Sequence, residues 1–352
     1  MIGNFSCMKV TILSDGLDGH INQSLGIVEI LQDSLQLSYT TIDVKLKNTF
    51  LRGLKYSYIK NLSKNLTDKN INTILSFFEE IDLKECDLLI STGGKLTVLN
   101  AALAKKYNIK NINNGSLRGV SDEYFSANLV LGEKIKEKKT KISSNIPIIL
   151  PPNRFNPFKH LEIKNKVLFL IGGNGSGYKY KKKDFFTLCK QIIKYVHDSG
   201  KTPLIVTSRR TKESHEQLIK EYLKDYLDVR SVWFHSGTGR INLSNIFKLV
   251  DKIFVTEDSS SMISESISSG LDVYTIAPKR VKKNKDYLEM LYKYERMGFI
   301  KRLNFDTTFN NYVNKSTLSG KYKKIINAKH LLKVQILSKL NKLVLTKNIK
   351  TV

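Results

Sequence analysis

The sequence predicts an α/β protein with two doubly wound, Rossmann-like domains, each built on a parallel sheet and facing a cleft. Short apolar segments alternate with helical segments along most of the chain, which is typical of parallel strands joined by crossover helices. The alternation is interrupted at residues 148–157, where three of the six prolines gather in one stiff connector. At 352 residues, the chain is long enough for two domains with separate cores.

The first domain is predicted over residues 1–152. It begins with a strand and a glycine turn, followed by a helix whose apolar face is formed by Ile21, Leu25, Val28, Leu31 and Leu35. Its strands are predicted at Lys9 to Ser14, Thr41 to Leu46, Asp87 to Ser91, Ile109 to Ile112 and Ala127 to Leu131, with a helix from about Leu96 to Tyr107.

The second domain is predicted over residues 153–325, and residues 326–352 as a C-terminal helix that packs back towards the first domain. Its strands are predicted at Val167 to Ile171, Pro203 to Thr207, Val232 to Phe234, Lys252 to Thr256 and Asp272 to Ile276, with helices at Asp184 to His197 and Asn242 to Val250. Because ligand-binding loops follow the carboxyl ends of parallel strands, we expect these ends to line the cleft.

The chain is strongly basic, with a formal net charge of +26. Abundant Lys, Asn and Ile together fit an AT-rich coding bias, whereas the functional interpretations are a nucleic acid or an anionic membrane. The sequence has no zinc-finger spacing, RNP-type aromatic strand or basic helix with heptads, which argues against nucleic acid. We therefore expect coding bias together with peripheral contact to an anionic membrane, and no nucleic-acid partner.

The compartment is predicted from the cysteines and the apolar runs. Cys7, Cys86 and Cys189 lie far apart without metal-ligand spacing, and the apolar runs are only as long as core strands. These features favour a reducing, cytoplasmic compartment. Combined with the expected contact to an anionic membrane, they predict a peripheral protein at the inner face of the membrane. The segment Phe50 to Leu66 is a basic amphipathic helix that either lies on a bilayer or packs on its own sheet.

The most informative stretch runs from a short strand through Thr256-Glu257-Asp258-Ser259 into a helix. A polar turn between a strand and a helix N-terminus builds an anion site, with Asp258 or Ser259 as the predicted N-cap and Ser261 donating to phosphate. Glu265 has no capping role, since the residue three positions earlier is Met262. Its carboxylate could accept both hydroxyls of a ribose, and the alternative is a solvated helix glutamate.

Other loops exclude familiar nucleotide motifs. The loop from Gly172 to Gly177 is followed by Tyr178 and Lys179, so it is not a Walker phosphate loop. The sequence also lacks an Asp-x-Asp pair, so a diphosphate would have to be neutralised without a metal by helix ends, serines and arginines. The pair Arg209-Arg210 is either such a clamp or pairs with glutamates of the following helix.

His20 is the candidate general base of the first domain. It follows Gly19 at the start of a helix, whose N-terminus disfavours the imidazolium form, and Asp15 or Asp18 could orient it. The alternative is a helix cap or surface residue.

Taken together, these motifs resemble the mitochondrial-fission Elm family, which is widespread in bacteria and regarded as glycosyltransferases. The resemblance runs from about Val10 to Pro278 and is carried by Ser14-Asp15-Gly16 with Gly19-His20 and Asn22-Gln23, by Thr207-Ser208-Arg209-Arg210-Thr211, by Gly237-Thr238-Gly239, and by Thr256-Glu257-Asp258-Ser259 with Ser264-Glu265. More distantly, the layout is similar to the GT-B transferases that add N-acetylglucosamine to lipid I.

The resemblance implies a GT-B glycosyltransferase that uses a nucleoside-diphosphate sugar, UDP-linked, as substrate, with no cofactor and no metal. The acceptor would be a lipid-linked or surface glycan. The donor-binding residues implied are Gly173, Asn174, Ser176, Ser208, Arg209, Arg210, Thr256, Glu257, Asp258, Ser259, Ser261 and Glu265. The acceptor side would have His20 and Asp15 as catalytic residues, with Gly16, Gly19, Asn22, Gln23, Gly93 and Gly94. The alternatives are a non-catalytic membrane scaffold and a sugar-nucleotide epimerase of the same fold.

Overall fold

The computed structural model describes residues 7–47, 52–131, 143–158, 163–227, 232–238, 241–278, 285–313 and 321–348. The chain divides into two compact units. Unit 1 comprises Met1–Arg154 and Asn327–Val352, and unit 2 comprises Phe155–Ile326. On each side of this division the chain is packed within its own unit: Asn153 is buried against Gly26 in unit 1, and the Phe155 ring lies 5.1 Å from that of Phe247 in unit 2.

Unit 1 contains a six-stranded parallel sheet in the order β2-β1-β3-β4-β5-β6. The strands are β1 (Met8–Ser14), β2 (Leu37–Asp43), β3 (Leu88–Thr92), β4 (Lys110–Asn114), β5 (Ala127–Leu131) and β6 (Asn145–Ile148). The chain first moves outward from β1 to β2 and then returns to the other side of β1. The order therefore reverses between β1 and β3, which is the kind of position where open α/β sheets bind ligands.

Helices cover both faces of this sheet. They are α1 (Asp18–Gln32), α2 (Arg52–Leu62), α3 (Asp68–Ser76) and α4 (Thr97–Tyr107), with a 3-10 turn at Asp122–Tyr124. Successive residues of a strand face opposite sides, so Ile12 packs in the core under α1 whereas Leu13 packs in the core under α3 and α4.

Unit 2 contains a second six-stranded parallel sheet in the order β12-β11-β10-β7-β8-β9. Its strands are β7 (Lys166–Ile171), β8 (Thr202–Thr207), β9 (Val232–Trp233), β10 (Lys252–Thr256), β11 (Asp272–Ala277) and β12 (Lys301–Asn304). This is the strand order of dinucleotide-binding Rossmann domains. Its switch point, the place where the strand order reverses, lies between β7 and β10, and the switch point of unit 1 lies between β1 and β3. Stacked rings of Phe169, Phe254 and Tyr274 hold the central strands together, with centroid separations of 4.9 and 5.1 Å.

The helices of unit 2 are α5 (Lys182–Ser199), α6 (Glu213–Leu223), α7 (His235–Thr238), α8 (Leu243–Phe247), α9 (Ser260–Ser268), α10 (Lys285–Arg296) and α11 (Asn310–Val313), with a 3-10 turn at Lys224–Tyr226. The last helix is α12 (Lys321–Asn348). From residue 327 onward it belongs to unit 1, where Leu332, Ile336 and Leu340 are buried in the core beside α1.

The predicted fold class of two doubly wound parallel sheets is confirmed, with local differences. Strand β2 begins and ends earlier than predicted, because pairing with β1 aligns Met8 with Leu37 and Ser14 with Asp43. Strands β6 and β12 and helices α3, α7, α10 and α11 were not predicted. Strand β6 contains Pro147, which an edge strand tolerates because its outward side needs no ladder hydrogen bond.

The apolar stripe that the sequence of the segment Phe50 to Leu66 predicts, made of Phe50, Leu54, Tyr58, Leu62 and Leu66, does not form one packed face. Helix α2 ends at Leu62, and Leu54 and Tyr58 on the stripe are 66% and 50% exposed. The buried residue of the helix is instead Ile59, while Phe50 lies outside the described residues. No helix in the described ranges is long and apolar enough to cross a bilayer.

Candidate functional site

At the switch point of unit 2, the segments that follow β7, β8 and β10 meet at Asp258. The Asp258 carbonyl oxygen accepts hydrogen bonds from Ser176 Oγ at 2.9 Å and Arg210 Nη1 at 2.8 Å. Its carboxylate accepts from Thr256 Oγ1 at 2.7 Å and from the Gly173 N–H at 3.2 Å. Burial raises the pKa of Asp258, although Thr256 and the charge of Arg210 oppose the shift. Asp258 therefore holds the segments after β7, β8 and β10 together through hydrogen bonds.

The loop after β7 needs glycine because neighbouring groups occupy the space of a side chain. A Cβ on Gly172 would overlap the Asp258 carboxylate, and one on Gly173 would overlap the Arg210 carbonyl group. A Cβ on Gly175 would lie 2.8 Å from Arg210 Nη1. The glycines thus let the loop close onto Asp258 and Arg210.

Three other predicted donor-side residues lie around this loop. Asn174 is exposed, and its Oδ1 accepts a hydrogen bond from the Tyr180 N–H at 2.8 Å. Ser208 Oγ accepts from the Arg210 N–H at 3.2 Å, while the Arg209 side chain is exposed. The structure thus brings Arg210 into the centre of the loops and leaves Arg209 at the rim.

The alternative in which the arginines pair with glutamates of α6 does not hold for Glu216. Its buried carboxylate accepts hydrogen bonds from the Thr207 and Ser236 hydroxyls and, at 3.0 Å, from the His235 N–H. Arg210 instead lies 3.3 Å from Asp258 Oδ2. Glu216 therefore connects the end of β8 to the start of α7. Helix α7 contains Gly237 and Thr238 of the Gly237-Thr238-Gly239 motif, and Gly239 lies outside the described residues.

The N-terminus of α9 directly follows Asp258, the residue at which the three loops meet. Ser259 is the N-cap, and its Oγ accepts from the Met262 N–H at 3.5 Å and lies 3.2 Å from Ser261 Oγ. The first-turn N–H groups and the positive end of the helix dipole suit an anion. Glu265, in the second turn, is only 7% exposed, so the alternative of a solvated glutamate is wrong.

Glu257 lies next to Asp258, but its carboxylate points into the domain. It accepts hydrogen bonds from Arg302 Nε at 2.7 Å and Nη2 at 2.9 Å, from Tyr178 Oη at 2.6 Å and from Thr275 Oγ1 at 2.7 Å. The hydrogen bond to Glu257 raises the pKa of Arg302, and burial followed by the Glu257 charge raises the pKa of Tyr178. Glu257 thus joins the glycine loop to β11 and β12, through partners that the sequence did not indicate.

At the switch point of unit 1, His20 in the first turn of α1 faces Asp15 at the end of β1. His20 Nδ1 lies 3.0 Å from each carboxylate oxygen of Asp15. Burial acts to raise the pKa of Asp15, but the hydrogen bond and charge of His20 and the Leu17 N–H lower it overall. An ionised carboxylate can only accept, so Nδ1 carries the hydrogen, and in the neutral form of the imidazole the lone pair is on Nε2.

Glycines from the neighbouring strand end make room for this pair. Gly93, after β3, has φ +93°, and a Cβ there would overlap the His20 ring. A Cβ on Gly94 would overlap the side chain of Arg118, a residue that the sequence did not single out. Gly16 turns the chain after β1 with φ +75°. The switch point therefore brings together residues from β1, β3 and the loop after β4.

The remaining acceptor-side residues lie along α1. Gly19 and Asn22 are in its first turns, and Gln23 Oε1 accepts from Asn114 Nδ2 at 2.9 Å. Thr92 lies 2.8 Å from Ser24 through their hydroxyl oxygens, which ties α1 to the end of β3. Among the described residues, no group of three or more His, Cys, Asp and Glu side chains is placed to hold a metal ion.

Comparison with known proteins gives a family match for part of the chain and solved structures with the same fold. The family model described as Mitochondrial fission ELM1 matches residues 152–313, which confirms the predicted resemblance for nearly all of unit 2. The match does not include Ser14 to Gln23, so that part of the resemblance stays a prediction. Among curated proteins, none matches the sequence.

Solved structures share the fold at low sequence identity. The glycosyltransferase SnogD from Streptomyces nogalater is 10% identical with a TM-score of 0.53, covering 97% of this chain and 100% of its own. The glycotransferase of kitacinnamycin is 10% identical with a TM-score of 0.51, covering 95% and 99%. The UDP-GlcNAc 2-epimerase from Methanocaldococcus jannaschii is 13% identical with a TM-score of 0.50, covering 92% and 93%. These likenesses establish the fold of the two units.

Proposed function

We propose that this protein, whose residues 152–313 match the mitochondrial fission ELM1 family, is a glycosyltransferase that uses a nucleoside-diphosphate sugar. The observation that carries the proposal is the meeting of the glycine loop, Arg210 and the N-terminus of α9 at the switch point of unit 2. A guanidinium group, serine hydroxyls and unpaired helix N–H groups are the donors that a diphosphate requires. The donor is UDP-linked in our proposal, and Glu265 accepts hydrogen bonds from its ribose.

Unit 1 supplies the base in this proposal. Asp15 fixes the tautomer of His20, so that Nε2 accepts the proton of the acceptor hydroxyl as its oxygen attacks the anomeric carbon. The diphosphate leaves with the bonding electron pair. The acceptor is a lipid-linked or surface glycan at the cytoplasmic face of an anionic membrane.

Calorimetry of the full chain with a panel of nucleoside diphosphates tests the donor site. We expect UDP to bind, and Glu265→Gln to weaken its affinity roughly 10- to 100-fold, because a charged hydrogen bond is lost. Glu213→Gln, on the exposed side of α6 in the same unit, is the matched control and should leave the affinity unchanged. Absence of binding by every nucleotide would overturn the proposal and favour a scaffold without catalysis.

Measuring the rate of turnover tests the role of His20 as the base separately from donor binding. His20→Ala should lower the rate of UDP release by roughly 10²- to 10⁴-fold in the presence of membrane extract, with UDP affinity unchanged. His197→Ala, at an exposed position of α5, is the control. Full activity of the His20 variant would remove it from the mechanism and make Asp15 or Asp18 the next candidate base.

An epimerase is the second candidate, because one of the structures with this fold is a UDP-GlcNAc 2-epimerase. The same donor groups would then hold the sugar nucleotide. An epimerase converts the sugar nucleotide without any acceptor, whereas the transferase releases UDP only when an acceptor is present. Incubation with UDP-sugars alone therefore distinguishes the two.

A further inference from the structure

Helix α2 of unit 1 exposes large apolar side chains. Leu54 is 66% and Tyr58 is 50% exposed, and their spacing of four residues places them on one face of the helix. The helix is anchored by the buried Ile59, and the Tyr58 and Phe77 rings make an edge-to-face contact with centroids 6.1 Å apart. Single exposed apolar residues are ordinary, but an adjacent pair on a basic helix is typical of interfacial helices.

The segment that carries this face has charges of one sign along the chain. Residues 44–67 contain no acidic residue and the following basic ones: Lys45, Lys47, Arg52, Lys55, Lys60 and Lys64. Lys60 and Lys64 are exposed in the structure. The segment therefore carries an excess of positive charge whatever the origin of the net charge of the whole chain, although Glu79 lies beside it through its N–H bond to the Lys45 carbonyl. An acidic surface is the electrostatic complement of such a segment.

This basic face continues to the switch point of unit 1. Lys60 Cε lies 3.5 Å from the position that a Cβ on Gly119 would take. The preceding residue, Arg118, covers Gly94, and Gly93 makes room for the His20 ring. Arg118 is exposed and has φ +53°, a conformation that costs a residue with a side chain roughly 1–3 kcal/mol and tends to persist at functional positions.

We propose that the surface formed by Leu54, Tyr58, Lys60 and Arg118 docks unit 1 on an acidic phospholipid bilayer. Leu54 and Tyr58 enter the boundary between headgroups and acyl chains, where a tyrosine keeps its hydroxyl group in the wet layer. Lys60 and Arg118 pair with lipid phosphates. Docking does not require the transfer reaction; only its consequence, that a membrane-held acceptor approaches His20 along this face, rests on the proposed function.

Vesicle sedimentation with the full chain tests the docking surface. We expect binding to phosphatidylcholine vesicles that contain phosphatidylglycerol, little binding to pure phosphatidylcholine, and release by high salt. Leu54→Ser should weaken binding at least about fivefold, and Leu54→Ser with Tyr58→Ser more, because the apolar contact is lost. Lys60→Glu should weaken it as well. The matched control is Leu331→Ser with Val334→Ser on α12, which removes side chains 53% and 50% exposed and should change nothing.

Several results would overturn the proposal. These are equal binding to both vesicle types, no binding, an equal loss in the α12 control, or full binding by the Leu54 and Tyr58 variants. A site for another polyanion is shown if a single-stranded oligonucleotide competes while only Lys60→Glu matters, and this also overturns the proposal. Thermal unfolding establishes that each variant is folded. UDP calorimetry on the same samples keeps the two proposals apart, because either one can fail while the other stands.

Discussion

Replacing Arg302 by Met should destabilise unit 2 strongly, because it leaves the Glu257 carboxylate charged inside the domain. Glu257 is 1% exposed and is held by two nitrogens of Arg302 at 2.7 and 2.9 Å. Removing one partner of a buried pair costs about 3–5 kcal/mol. The Arg302 side chain is 20% exposed and the hydrogen bonds from Tyr178 and Thr275 remain, so we expect a loss of about 3 kcal/mol in the free energy of unfolding.

The single tryptophan of the chain allows the loss of stability to be measured in unit 2. Trp233 lies on β9 of unit 2, so its fluorescence during urea unfolding follows the unit that contains Glu257 and Arg302. Lys194→Met is the matched control in the same unit. It removes an exposed partner of Asp198 at 3.9 Å, and the urea midpoint should not move.

A double variant tests the stated cause. Adding Glu257→Gln to Arg302→Met removes the unpaired charge. The glutamine keeps one acceptor oxygen for one of the Tyr178 and Thr275 hydroxyl groups and can donate its NH₂ group to the oxygen of the other, so part of the stability should return. The reasoning is refuted if Arg302→Met unfolds at the wild-type midpoint, or if the two substitutions simply add. Either result would mean that the pair is screened by water despite its burial.

Two further predictions concern a glycine and a buried lysine. Gly93→Ala should cost at least about 1–2 kcal/mol and displace His20, because the residue has φ +93° and its Cβ would overlap the ring, whereas Gly53→Ala, in open space on α2, should be neutral or stabilising in thermal unfolding. Lys321 is buried 3.4 Å from Asp272, and burial lowers its pKa from 10.5 to about 8. Between these values the unfolded chain keeps a proton that the folded chain has released, so the contribution of Lys321 to stability rises with pH and is lost as pH falls through about 8. The stability of the wild type relative to Lys321→Met should thus increase by roughly 2 kcal/mol between about pH 7.5 and about pH 9.5 in urea titrations, and a constant difference would contradict the shift.

Elements with a local signature were predictable from the sequence. Strands β5 and β10 have the predicted bounds, because each is a short apolar run closed by polar or glycine residues. Strands β6 and β12 were not predicted, because edge strands bury one side and carry polar residues or proline on the other. Their existence depends on a neighbour that is already in place.

The sequence also placed the polar residues at strand ends, but it could not decide which carboxylate serves the fold. Glu257 and Glu265 are of the same type and eight positions apart in one motif. Only the strand order brings Arg302, which is 45 residues further along the chain, against Glu257. The use of a buried carboxylate depends on donors supplied by distant segments, and no local pattern records them.

The asparagines show the same division between sequence and tertiary structure. Their abundance predicted only a coding bias, yet Asn113 Nδ2 donates to Asn128 Oδ1 at 2.7 Å, and Asn128 Nδ2 donates to Asn145 Oδ1 at 2.6 Å. These bonds join β4, β5 and β6 inside unit 1. The sequence by itself determined the alternation of strands and helices and the glycine, serine and histidine residues at their ends, because these depend on neighbours along the chain. Tertiary structure alone decided which polar groups satisfy one another, because burial forces each to find a partner and the sheet order decides which partners are in reach.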